Sequence, residues 1–206
     1  MYLSRIKINR QVRSSIKLLG SLQVMHAAVE GCFHQEDSTR KLWRLDYFYN
    51  QPYILILSQQ KPDFTHFVEQ FGYKGDAGEM RDCQKILDGL ENGQRYRFRF
   101  CGNPVHSIKE KGNTGRGRVV PHMTAAQQEE WFDKKSKAAG FSTEHCSIVQ
   151  RDVRKFSRKG KIVTLHTAVY EGVLKIHDVE TFKTAIVSGV GRAKSYGCGL
   201  LTLARV

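Results

Sequence analysis

Eight histidines are spread through the chain, and His26 has neighbours at a spacing that could support proton transfer. On a helix turning about 100° per residue, Gln23 (three before) and Glu30 (four after) lie on the same side as His26. Glu30 could hold the ring and favour its protonated form. Gln23 could donate a hydrogen bond to phosphate but exchanges no proton. Histidine suits proton transfer because its unperturbed pKa is about 6.5. None of the histidines has the HxxxH or HExxH spacing of a helical metal site, and no Asp/Glu cluster suits magnesium. The expectation is therefore no metal and no cofactor. RNA can be cut without either, because its own 2′-hydroxyl can attack the adjacent phosphate. Such a reaction needs a proton acceptor, a proton donor for the leaving 5′-oxygen, and cations around the crowded phosphate.

Cations are plentiful. The 206 residues hold 33 Lys+Arg against 20 Asp+Glu, a net charge of +13, which points to a polyanionic partner. Two stretches concentrate them. Arg151, Arg154, Lys155, Arg158, Lys159 and Lys161 crowd one hairpin, a form that can enter a nucleic-acid groove. Near the C-terminus, Gly191, Arg192, Lys194, Ser195 and Tyr196 lie among four glycines, where backbone and side-chain donors can meet phosphate oxygens. That loop runs from a helix into a strand. Dinucleotide-binding and P-loop fingerprints run the other way, from strand through glycines into helix.

The elements that must position these residues repeat once. A strand over 2–10 precedes a helix over 16–33, with Leu18, Leu22, Met25 and Val29 as its buried stripe. Strands over 41–49 and 53–59 follow as a hairpin, then a short helix opened by Pro62-Asp63, a loop over 72–82 and a strand over 83–87. Asn92-Gly93 marks the boundary between domains at 1–91 and 92–206. In the second, a strand over 95–101 leads into a basic loop over 105–121 carrying Lys109, Lys111, Arg116 and Arg118. A capping box at Thr124–Gln127 starts a helix reaching about 139. Strands over 146–156 and 161–170, a turn at Glu171-Gly172, an extension over 173–177, a helix capped by Asp178, the glycine loop and a last strand complete the chain. Both halves read β-α-β-β-α-β, so the predicted class is α+β: two tandem ferredoxin-like, RRM-like domains. Five scattered cysteines without a CxxC pair predict reduced thiols in a cytoplasm. No signal peptide and no membrane-spanning run is expected.

The start Met1-Tyr-Leu-Ser4, the helix histidine His26, the run Arg97-Phe-Arg-Phe-Cys-Gly-Asn103-Pro104, Tyr170-Glu-Gly-Val-Leu174 and the close Gly189-Val-Gly-Arg-Ala-Lys-Ser-Tyr-Gly-Cys-Gly-Leu-Leu201 together resemble the CasE family. These are the CRISPR RNA-processing endoribonucleases of the type I-E Cascade complex. The resemblance implies metal-independent cleavage of repeat RNA at the base of its stem-loop, leaving a 2′,3′-cyclic phosphate and a 5′-hydroxyl. It implies that the processed crRNA is retained and that the protein, otherwise a monomer, joins other Cascade subunits. By position, His26 matches the family's helix histidine, Lys161 its phosphate-stabilising lysine, and Arg158 with its neighbours the groove-binding hairpin. One residue departs: similar proteins often carry tyrosine three residues before the histidine, where this chain has Gln23. Tyr196 is then a candidate substitute; without one, cutting would be slower.

A non-catalytic module with two RRM-like domains explains charge and topology equally well. Its central strand, 95–101, has aromatics but lacks the glycines of an RNP1 pattern. A ribosome-associated basic protein would explain the charge and leave the glycine loop unexplained.

Overall fold

The computed structural model describes residues 1–34, 36–108 and 117–206. The first half runs β1 (Tyr2–Lys7), α1 (Arg13–Gly20), α2 (Leu22–Glu30), β2 (Leu42–Phe48), β3 (Gln51–Ser58), α3 (Thr65–Phe71) and β4 (Glu79–Asp82). Its four strands form an antiparallel sheet in the order β2-β3-β1-β4. After α4 (Gln84–Asp88), the second half runs β5 (Arg95–Gly102), β6 (Val105–Ile108), β7 (Arg118–Pro121), α5 (Ala125–Ala138), β8 (Phe141–Arg158), β9 (Lys161–Ile176), α6 (Val179–Ser188) and β10 (Leu201–Arg205). The large sheet there is ordered β10-β5-β9-β8, also antiparallel. Both orders are those of the split β-α-β unit, so the molecule is α+β with two ferredoxin-like sheets.

Several elements differ from the sequence expectation. The helix expected over 16–33 is two helices, because Ser21 takes an extended conformation (φ −138°, ψ 115°) and caps α2 by accepting from the Val24 amide. The last strand of the first half lies at Glu79–Asp82, not 83–87. Asp82 accepts from the Gln84 amide at 2.8 Å, and the apolar pair Ile86-Leu87 sits on the short α4 instead. The loop expected over 105–121 begins and ends as the two-stranded ribbon of β6 and β7. Lys109, Lys111 and Arg116 lie outside the described residues. No turn interrupts β9 at Glu171-Gly172; the strand pairs with β5 and β8 on either side. Glycine is needed there for another reason: a Cβ on Gly172 would stand 1.8 Å from the His145 carbonyl, at a bulge in β8.

Helices cover one face of the first sheet. Ile6, Trp43, Ile54 and Ile56 pack there on Leu18, Met25, Val29, Phe67 and Phe71, all buried. The opposite face turns Leu42 and Leu57 into the core of the second half, beside Phe100, Phe132 and Tyr170. The Phe132 and Tyr170 rings stack with centroids 4.3 Å apart. Burying one side chain of this size contributes roughly 1.5–3 kcal/mol, so a shared core of this extent ties the halves together.

A buried ion pair sits at the same junction. Arg44 on β2 is 3% exposed and grips Asp46 through two hydrogen bonds of 2.8 and 2.7 Å. Its remaining N–H groups donate across the junction to the carbonyls of Arg99 (2.9 Å) and Leu200 (3.2 Å) and to the Thr202 hydroxyl (2.9 Å). No helix of the described residues is long and apolar enough to cross a membrane.

Candidate active site

Helix α2 buries Met25 and Val29 in the first core, which leaves His26 one step round, at the rim. The imidazole is 26% exposed. Its Nδ1 is closed off from solvent and makes no hydrogen bond among the described residues; a Glu30 carboxylate oxygen stands 3.7 Å away. The other Glu30 oxygen is 3.5 Å from the ammonium of Lys41, whose side chain is 3% exposed and lies 3.3 Å from Asp37. Glu30 is thus held between a buried cation and the histidine. The Asp37 carboxyl is lowered below its ordinary range, first by the Thr39 hydroxyl and further by Lys41.

The opposite wall comes from the far end of the chain. After α6, the backbone turns through Ala193 (φ 61°) into a single 3-10 turn, Lys194–Tyr196, and leaves it at Gly197 (φ 79°). A Cβ on Gly197 would meet the Trp43 ring at 2.9 Å, so only glycine lets this turn lie flat on the first half. The turn carries Tyr196 to α2, where its hydroxyl donates to the Gln23 side-chain Oε1 at 3.3 Å and its ring lies edge-on to His26, centroids 6.2 Å apart. Phe156 of β8 packs on the other side of Tyr196 at 4.7 Å, and the Arg158 guanidinium stands 5.8 Å over its ring. A cavity of about 340 Å³ results, lined by Gln23, His26, Ser157, Arg158, Lys159, Ser195 and Tyr196.

Other expected site residues are distributed differently. Lys161 opens β9 opposite Arg158 in the hairpin register, exposed and off the cavity wall. Strand alternation puts Arg154 and Arg158 on the face of Phe156, and Arg151 and Lys155 on the other. Arg154 pairs with Asp152 at 2.6 Å, and Arg151 donates to the Met123 carbonyl. Arg192 is exposed, and Gly191 borders the Trp131 ring. The Lys194 ammonium is pushed below its ordinary value by burial and by nearby Arg40. Sequence reasoning missed Lys41, Ser157 and Phe156. Lys41 and Ser157 carry no pattern, and Phe156 stands between Arg154 and Arg158 on its own face of the strand, so alternation gave no sign that it is buried.

A larger hollow of about 900 Å³ beside α3 is lined by Asp63, Glu69 and Asp76 with Lys74, and holds no histidine. Its carboxylates would repel a phosphodiester. Among the described residues, no group of three His, Cys, Asp or Glu could hold a metal ion. The His26 cavity offers one titratable ring, a phenol beside it and two cations at the mouth. It can move a proton at a phosphate ester and offset the charge that develops there.

The model of the family described as CRISPR associated protein matches residues 1–205. A CRISPR-associated endoribonuclease Cse3 from Thermus thermophilus is 25% identical over 221 aligned positions, covering 99% of this chain and all of that protein. The CRISPR system Cascade subunit CasE of Escherichia coli strain K12 is 36% identical over 122, covering 56% of this chain and 60% of that one. Among solved structures, a CRISPR endoribonuclease Cse3 bound to a 19-nucleotide RNA superimposes with a TM-score of 0.82 at 24% identity, over 99% of this chain and 100% of that one. The Escherichia coli K-12 CRISPR-associated protein Cas6e superimposes with a TM-score of 0.71 at 24% identity, over the whole of both chains.

Proposed function

The chain belongs to the CRISPR associated protein family, as a member of the CasE type, and from that premise we propose that it is a metal-independent endoribonuclease of CRISPR repeat RNA. It cuts at the base of the repeat stem-loop. The RNA's 2′-oxygen attacks phosphorus, the bond to the 5′-oxygen breaks, and a 2′,3′-cyclic phosphate and a 5′-hydroxyl remain. One proton leaves the 2′-hydroxyl and one reaches the 5′-oxygen. His26 transfers one of them; Tyr196, beside it, is the candidate for the other, in place of the tyrosine that similar proteins carry at the position of Gln23. Arg158 and Lys159 meet the phosphate at the cavity, and Lys161 across the hairpin adds to the same positive field. Arg151, Arg154, Lys155 and the Gly191–Ser195 loop hold the RNA backbone. The protein keeps the processed crRNA and joins Cascade with it.

The observation that carries this reading is the meeting of His26, Gln23 and Tyr196 in one cavity rimmed by Arg158 and Lys159. The domain boundary is proposed at 91/92, since the first sheet's strands end at Asp82 and those of the second begin at Arg95. The free protein is proposed as a cytoplasmic monomer; its five unpaired thiols suit a reducing compartment.

The test uses purified protein and a repeat stem-loop in EDTA, with a matched RNA bearing 2′-deoxyribose at the cut position. Cleavage should survive EDTA and vanish on the deoxy substrate. Cutting that needs magnesium, or that persists without the 2′-hydroxyl, would overturn the mechanism. Tight binding with no cutting would leave the non-catalytic module.

A further inference from the structure

The helix-free face of the first sheet is only partly covered. Leu42 and Leu57 on this face are buried in the second half's core, and Leu3 packs against it. Farther along, Arg5 on β1, Tyr53 on β3 and Phe48 on β2 remain at an open end of the sheet. Phe48 is 42% exposed. Its ring meets Tyr53 edge-on at 5.3 Å, and the Arg5 guanidinium stands 5.9 Å from the Phe48 ring and 5.6 Å from that of Tyr53. Glu79 fixes Arg5 through a 2.8 Å ion pair. Beside them is a slot of about 290 Å³ lined by Leu3, Ser4, Arg5, Phe48, Leu55, Glu79, Met80 and Arg81, its one carboxylate neutralised by Arg5.

β2, the edge strand of the first sheet, lies between this slot and a cleft that leads toward the His26 cavity. Tyr196 lines that cavity and also one end of a narrow cleft between β2 and β8, and Tyr47 lines the same cleft. The next residue, Phe48, points to the other face of the strand, at the slot. Tyr47 is itself 51% exposed.

We propose that Arg5, Phe48 and Tyr53 form a stacking site for an unpaired nucleotide flanking the RNA stem-loop. An aromatic face accepts any base, because every base has a π-face, and a planar guanidinium can stack on the base or bind its phosphate. The apolar floor of Leu3 and Leu55 suits a base, and Arg81, beside the neutralised Arg5–Glu79 pair, suits the phosphate. Space for a single ring system excludes a duplex. Open sheets with exposed aromatics are how related folds splay single-stranded RNA. The proposal rests on the RNA reading above.

The experiment measures affinity for four non-cleavable 2′-deoxy-substituted RNAs: the bare stem-loop, and stem-loops with an oligouridine strand on the 5′ side, the 3′ side or both. One extension should tighten binding about tenfold, the effect of stacking one base. Phe48→Ala and Arg5→Ala should each remove most of that gain while binding the bare stem-loop unchanged, and Phe48→Tyr should retain it. The site is overturned if neither extension tightens binding, or if Phe48→Ala keeps the full gain. It is equally overturned if Phe48→Ala leaves every RNA affinity intact but blocks association with another protein subunit. Failure of the bare stem-loop to bind wild-type protein would count against the proposed function instead.

Discussion

At the scale of single residues, the proposed chemistry depends on what surrounds one imidazole. His26 has a carboxylate at 3.7 Å that is itself restrained by the buried Lys41, so the ring faces a fixed negative neighbour. His26→Ala removes the proposed proton-transfer group and leaves the cations in place. It should lower the single-turnover cleavage rate by about 10²–10⁴-fold, with stem-loop affinity nearly unchanged. A large loss of affinity would show that the ring mainly holds RNA. The position of His26 was legible in the sequence, because helical spacing separates the buried Met25 and Val29 from a shoulder residue. Its relation to Tyr196 was not, since no periodicity links residues 23 and 196. Lys41 was invisible for the same reason: a lysine buried at a strand's start looks like any solvated cation until its partners are known.

Among the secondary-structure elements, the hairpin of β8 and β9 carries the most concentrated charge. The two strands pair continuously from Phe141↔Ile176 to Arg158↔Lys161, interrupted by two bulges. Replacing Arg151, Arg154 and Arg158 together by alanine should weaken stem-loop binding and flatten the dependence of log K on log salt, because fewer counterions are released. An unchanged slope would put the RNA on another surface. Pairwise variants separate the two faces: Arg154 with Arg158 shares the side of Phe156 and the cavity, whereas Arg151 with Lys155 does not. Element order was readable from alternation and turn residues, but boundaries failed where those signals mislead. Gly172 resembled a turn and is a close backbone approach. The residues of β4, Glu79–Asp82, are all exposed and offer no apolar alternation, while the neighbouring Ile86-Leu87 does and is helical. Ser21 sits inside an apolar helical pattern and still starts a new helix.

For the molecule as a whole, the junction between the halves is built around Arg44. Removing one partner of a buried, hydrogen-bonded ion pair leaves an uncompensated group, a loss of about 3–5 kcal/mol. Arg44→Ala should lower the urea-unfolding free energy by that order. A loss below about 1 kcal/mol is the value of a solvent-exposed pair and would mean that Asp46 is satisfied by Arg99, 3.3 Å away. The net charge is enough to point to a polyanionic partner, but it carries no sign that the two halves share a core. Leu42 and Leu57 read as ordinary strand residues; their second packing partner comes from residues far along the chain.

The cavity at His26 is completed by a turn from the other end of the chain, seated on Trp43 through Gly197. With the proposed roles of His26 and Tyr196, cleavage behaves as a logical AND on the two halves. Neither one, folded alone, would hold both His26 and Tyr196, so activity is a reporter of docking.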